Sequence, residues 1–151
     1  MSTDRTYGYL ASLVQELHKL PKETSWVEFK VNKAEPEEIG QYISALANSA
    51  VLAGKANAYL IWGIADDDHA LVGTEFQPGE ARVGNEELEN WLLRLLEPRI
   101  HFSFFNVTID AARIVVLEIS RTLRHPVRFK GQEFVRVGSY KKKLSDHPEL
   151  E

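Results

Sequence analysis

Three carboxylates carry the first chemical signal in the chain. Glu23 and Glu28 stand five residues apart in Glu-Thr-Ser-Trp-Val-Glu-Phe-Lys, and Asp66 follows Leu60-Ile61-Trp62-Gly63-Ile64-Ala65. Trp26, Val27 and Phe29 favour extended backbone, so residues 25 to 30 read as a short strand. A period of two sends Glu23 and Glu28 to opposite faces. They converge only if the chain bends near Thr24 or Ser25. With that bend, and with Asp66 at the exit of the second strand, the three acids would hold a hard divalent cation or form an acid/base pair. The alternative is that they pair with Lys30 and Arg136 and fix a sheet. His69, in the turn Asp66-Asp67-Asp68-His69, is a further ligand or base by residue type, or an incidental loop histidine.

The second signal is cationic. The formal net charge is −4. Residues 121 to 143 hold Arg121, Arg124, Arg128, Lys130, Arg136, Lys141, Lys142 and Lys143 against Glu133 alone, a segment of +7 on a remainder of −11. A basic end on an acidic body can meet a polyanion while the body stays soluble, although a solvated rim has the same charge pattern. Arg136 alternates onto the face of Val127, Phe129 and Phe134, where a guanidinium must find a carboxylate of the chain or a ligand phosphate.

The elements that must position these groups follow from periodicity. Residues 6 to 19 read as an amphipathic helix closed by Pro21, with Leu10, Leu13, Val14 and Leu17 on one side. Pro36 starts a second helix, Glu37 and Glu38 complement the positive end of its dipole, and Gly54 stops it. Asn48 lies near that helix's apolar side. There it would orient a site carboxylate, or else bond locally. Tyr59 to Ile64 is apolar throughout, as a strand covered on both faces requires, and Ala70 to Val72 reads as its short return. Asn85 caps a third helix that Pro98 ends. Ile100 to Ile109 and Arg113 to Ile119 make a hairpin, and a second hairpin turns at Gly131-Gln132.

At 151 residues without cysteine, the chain is one domain that needs no disulfide or thiolate metal site, and a reducing, cytoplasmic setting is expected. No apolar run approaches the ~20 residues of a membrane helix. The fold class is α+β: a mixed sheet packed with about three helices, with hairpins at the C-terminal end. Signatures of nucleotide-binding loops, dinucleotide folds, nucleophile elbows and zincins do not occur.

The order Glu23-x-x-x-x-Glu28-Phe29-Lys30, Ile43-Ser44-Ala45-Leu46-Ala47-Asn48, Gly63-Ile64-Ala65-Asp66, Val72-Gly73 and Phe134-Val135-Arg136-Val137-Gly138-Ser139 resembles the Schlafen AlbA-type domain. The likeness runs over residues 22 to 148, after an N-terminal helix in 1 to 21 and before a tail of 149 to 151 that reads as a junction or a cloning remnant. The resemblance implies a nucleic-acid-binding domain, DNA or RNA, as the N-terminal module of a bacterial-type transcriptional regulator. By analogy with the RNA-cutting Schlafen proteins it also implies a metal-dependent endoribonuclease, with Glu23, Glu28 and Asp66 as catalytic ligands of Mg²⁺ or Mn²⁺. Lys30, Arg128, Lys130, Arg136, Lys141, Lys142 and Lys143 would then hold the backbone, with Asn48 orienting the site. The chain departs from that pattern in the loop of Ser49 to Asn57, which has only Gly54 in place of a Gly-Gly turn, and in having one lobe and no cysteine. A homodimer would recreate a groove. A protein-interaction or dimerisation module is the remaining expectation.

Overall fold

The computed structural model describes residues 7–20, 24–121, 125–137 and 140–143. In chain order the elements are α1 (Tyr7–Leu17), β1 (Val27–Lys30), α2 (Pro36–Leu52), β2 (Asn57–Trp62), β3 (Arg82–Val83), β4 (Glu86–Glu87), α3 (Leu88–Leu95), β5 (Leu96–Glu97), β6 (Phe102–Ile109), β7 (Ala112–Ser120), β8 (Arg128–Phe129), β9 (Gln132–Val137) and β10 (Tyr140–Lys143). This is the α+β architecture expected.

The main sheet runs β1-β2-β7-β6. Its β1 and β2 are parallel, while β2, β7 and β6 pair antiparallel, so the sheet is mixed. Alternation along β2 sorts the core into two halves. Ala58, Leu60 and Trp62 pack with Ile39, Ile43 and Leu46 of α2 and with Leu88 and Leu92 of α3. Tyr59 and Ile61 pack with Leu10, Val14 and Leu17 of α1. Both faces of the sheet are therefore covered, which accounts for the unbroken apolar run. In β1 the same alternation sends Val27 and Phe29 to the α1 side, leaving Glu28 and Lys30 on the α2 side.

A second sheet, β10-β9-β8-β5, lies across α2. Gly40 of α2 allows the close approach, because a Cβ there would come within 2.2 Å of the Phe129 ring. The hairpin of β8 and β9 turns at Lys130-Gly131, with φ of 53° and 79°, and not at Gly131-Gln132. Two successive left-handed residues make the tight turn whose twist matches a hairpin, so Lys130 takes a strained position for a residue with a Cβ. The shift leaves Arg128 facing Glu133, and Phe129, Phe134 and Arg136 together on the other face.

Two other expectations change. Asn85 does not cap α3. Glu86 and Glu87 instead pair with Val83 and Arg82 across a turn at Gly84-Asn85, and the helix starts at Leu88. The return of Ala70 to Val72 reduces to a single bridge between Leu71 and Ile64. The start and stop of α2 follow the sequence: Pro36 sits in the first turn, and Gly54, with φ of 70°, lies just past the C-terminus.

Candidate functional site

The site is assembled where α2 meets the second sheet. Ser44, Asn48 and Ser49 form a buried polar stripe on α2 and bond the backbone of the closing hairpin. The Ser44 hydroxyl donates to the carbonyl of Val127 at 2.6 Å and accepts the N–H of Phe134 at 3.0 Å. Asn48 is clasped in both directions. Its Oδ1 accepts Val127 N–H at 2.7 Å, while its Nδ2 donates to the carbonyls of Val127 (3.1 Å) and Phe134 (2.8 Å). Ser49 Oγ accepts the N–H of Arg136 at 2.9 Å. Asn48 thus orients the site through the hairpin backbone rather than by bonding a carboxylate, since these three bonds use both amide protons and the oxygen.

That docking delivers Arg136 to β1. Its Nη2 pairs with Glu28 Oε1 at 2.7 Å, and its Nη1 donates to the carbonyls of Thr24 (2.8 Å) and Val27. Arg136 is 5% exposed and Glu28 7%. The other Glu28 oxygen faces Lys30 Nζ at 3.5 Å and accepts the Tyr42 hydroxyl at 3.4 Å. Burial pushes the Glu28 carboxyl above its ordinary range, against the opposing pull of Arg136 and Lys30. Burial likewise lowers Arg136, although Glu28 works in the other direction. Desolvation therefore outweighs attraction for both partners, as is common for an interior ion pair.

Outside this pair lies a more exposed cluster around the first turn of α2. Glu38 takes Lys33 on Oε2 at 3.1 Å and Lys30 on Oε1 at 4.0 Å. Glu37 pairs with Lys130 at 2.9 Å. Lys141 is opposite Arg136 in the β9–β10 ladder and so points the same way, its Nζ 4.5 Å from the centre of the Tyr42 ring. Lys30 lies 4.9 Å from that ring. Burial acts to raise Glu38, but Lys33, Lys30 and Lys141 prevail and hold its carboxyl below the usual range. Burial and the neighbouring Lys30 and Lys33 lower Lys141, although Glu38 and Glu28 oppose them. Four lysines from three separate segments of the chain thus meet at one helix start.

The remaining expected residues fall as follows. Lys142 and Lys143 are exposed on β10, the edge strand of the second sheet. Arg128 pairs with Glu133 at 3.4 Å. Asp66 is exposed and lies close enough to act electrostatically on Glu28 and Arg136. Glu23 lies outside the described residues. His69 is buried against Phe29, its Nδ1 donating to the carbonyl of His18 at 3.1 Å, so it acts as an anchor for the end of α1. Sequence reasoning missed Lys33, Glu38, Tyr42, Ser44 and Ser49. The acidic first turn of α2 was visible, and lysines near it were the available clue.

Among the described acids, Glu28 is not open to a hard divalent cation. Glu28 Oε1 is held by a guanidinium and Oε2 by a lysine and a phenol, so a metal would have to displace cations already in place. Among the described residues no group of three metal-ligating side chains is assembled. Nor, among these residues, is any helix long and apolar enough to cross a membrane.

Comparison with known proteins gives a family and a fold. The family model described as Schlafen, AlbA_2 matches residues 23–145. No curated protein matches the chain. Among solved structures it is similar to the DIP2311 protein from Corynebacterium diphtheriae, with a TM-score of 0.57 and 17% identity over 90% of this chain. It spans only 26% of that longer chain. It is also similar to the N-terminal domain of a protein related to the ATP-dependent DNA helicase RecG, from Nitrosomonas europaea. There the TM-score is 0.51 and the identity 18%, over 85% of this chain and 88% of the other.

Proposed function

Because the chain belongs to the Schlafen AlbA_2 family, we propose that it is a nucleic-acid-binding domain whose phosphate-facing surface is the lysine cluster at the start of α2 together with the β10 edge. The observation that carries this reading is convergence. Lys30 from β1, Lys33 from the loop after it, Lys130 from the hairpin turn and Lys141 from β10 surround one helix N-terminus, itself the positive end of a dipole. Arg136 is too enclosed to meet a ligand and serves as a positioning residue. The rings beside these lysines, Tyr42, Trp91 and Phe129, are buried beneath the ammonium groups, so phosphate contact rather than base stacking is the expected mode.

In this reading the domain is the N-terminal module of a larger regulator, in keeping with its likeness to part of the longer Corynebacterium chain. Binding of labelled DNA and RNA, followed by fluorescence anisotropy across salt, is the test. Affinity should fall steeply with salt, with a log–log slope of about −3 to −5 for three to five neutralised phosphates. Absence of binding to either polymer at low salt removes the reading. Mn²⁺-dependent RNA cleavage abolished by Glu28→Gln would restore the endoribonuclease in its place.

A further inference from the structure

We infer that Glu38 is an internal stand-in for a nucleic-acid phosphate, and that binding proceeds by exchange of its carboxylate for a phosphate among Lys30, Lys33 and Lys141; this rests on the nucleic-acid reading above. A carboxylate and a phosphate present the same anionic oxygens to lysine donors. Glu38 offers one oxygen to Lys33 and the other to Lys30, and Lys141 faces both over the Tyr42 ring. Its side chain is 28% exposed, so it can swing into water without leaving a buried unpaired charge. Glu28, with its side chain 9% exposed, cannot.

The helix start is prepared for the replacement. Pro36 fixes the first turn, and Glu35 at the N-cap makes no side-chain bond to the first N–H groups. An arriving phosphate would therefore meet lysine ammonium groups and uncapped backbone donors at one place. Glu37, which among the described residues pairs with Lys130, plays the same part at a neighbouring position. In the free protein the two acids keep like-charged lysines gathered, at the cost of competing with the ligand.

The full chain, Glu38→Gln and Glu89→Gln are compared by anisotropy on a labelled DNA duplex and an RNA hairpin, across salt. Glu89→Gln makes the same change in net charge on the exposed face of α3. Glu38→Gln should bind roughly threefold to tenfold more tightly, because lysines no longer engaged by a carboxylate are available to phosphate. Its salt slope should steepen by about one. Glu89→Gln should stay within about twofold. Glu38→Ala removes the same carboxylate while keeping helix propensity, and repeats the test should the glutamine variant fail to fold. If Glu38 merely scaffolds the lysines, both variants weaken binding, and the exchange is overturned while the function stands. Equal affinities in Glu38→Gln and Glu89→Gln also overturn it. No binding by any form overturns both.

Discussion

Glu28 and Glu38 both face Lys30, yet one belongs to the interior and the other to a surface that can exchange partners. Glu28 is enclosed with Arg136, and burial moves both away from their charged forms. Glu38 is partly open, and its lysines hold its carboxyl below the ordinary range in spite of burial. Acidic residues near one cation can therefore have opposite uses, decided by the water each retains. Of the three acids expected from sequence to share a site, Glu28 is already paired with Arg136 and Lys30.

The largest effect should come from breaking the enclosed pair. Arg136→Met leaves the buried Glu28 carboxylate with Lys30 and Tyr42 on one oxygen and takes the Arg136 donor from the Thr24 and Val27 carbonyls, and should cost about 3–5 kcal/mol of stability, read by urea denaturation. Replacing both charges, as in Glu28→Leu with Arg136→Met, should return much of that loss. A single variant costing under ~1 kcal/mol would mean that the pair is not locked, and the contrast with Glu38 would collapse.

Next in size is the clasp that carries Arg136 into place. Asn48→Ala leaves the N–H of Val127 and the carbonyls of Val127 and Phe134 without this partner, and should cost about 2–3 kcal/mol. Ser49→Ala, which removes one acceptor, should cost less. The comparison sharpens if nucleic-acid affinity in the folded fraction of both variants is unchanged, since neither residue faces the lysine cluster.

The exchangeable surface responds in the opposite way. Changing Lys30, Lys33 and Lys141 together to alanine should weaken binding by about tenfold or more at low salt, because several phosphate contacts are lost. Stability should fall far less than in Arg136→Met, since partly exposed ion pairs contribute roughly 0–1 kcal/mol each. Should the triple variant bind as tightly as the parent in anisotropy titrations, the interface lies elsewhere on the molecule.

Much of this fold was legible in the order of residues, because local rules carried it. Pro36, Gly54 and the acidic first turn announced α2, and the apolar run of β2 announced a strand covered on both faces. Asn85 misled, because an N-cap residue beside Gly84 can equally make a hairpin turn. The hairpin turn was displaced by one residue because Lys130, not glycine alone, adopts the left-handed backbone. Long-range chemistry was legible only as a demand. Arg136 on an apolar face required an anion, but nothing local identified Glu28, 108 positions earlier, as that anion. Asn48 required partners, which lie on a strand that tertiary packing alone brings near.

The finest test separates the two glutamates by the sign of their titrations. Burial raises Glu28 above 4.5, so between that value and its folded one the native state holds the extra proton. Stability attributable to Glu28 must then fall as pH rises through the window above about 4.5. Lys33, Lys30 and Lys141 hold Glu38 below 4.5 against burial, so its contribution is complete above that value and is lost as pH falls through the lower folded one. Urea midpoints measured from roughly pH 3 to 7 should show Glu28→Gln flattening only the limb above 4.5, and Glu38→Gln only the limb below it. If both variants alter the same limb, the two carboxylates share one environment. The distinction between a locked pair and an exchangeable one would then have no electrostatic basis.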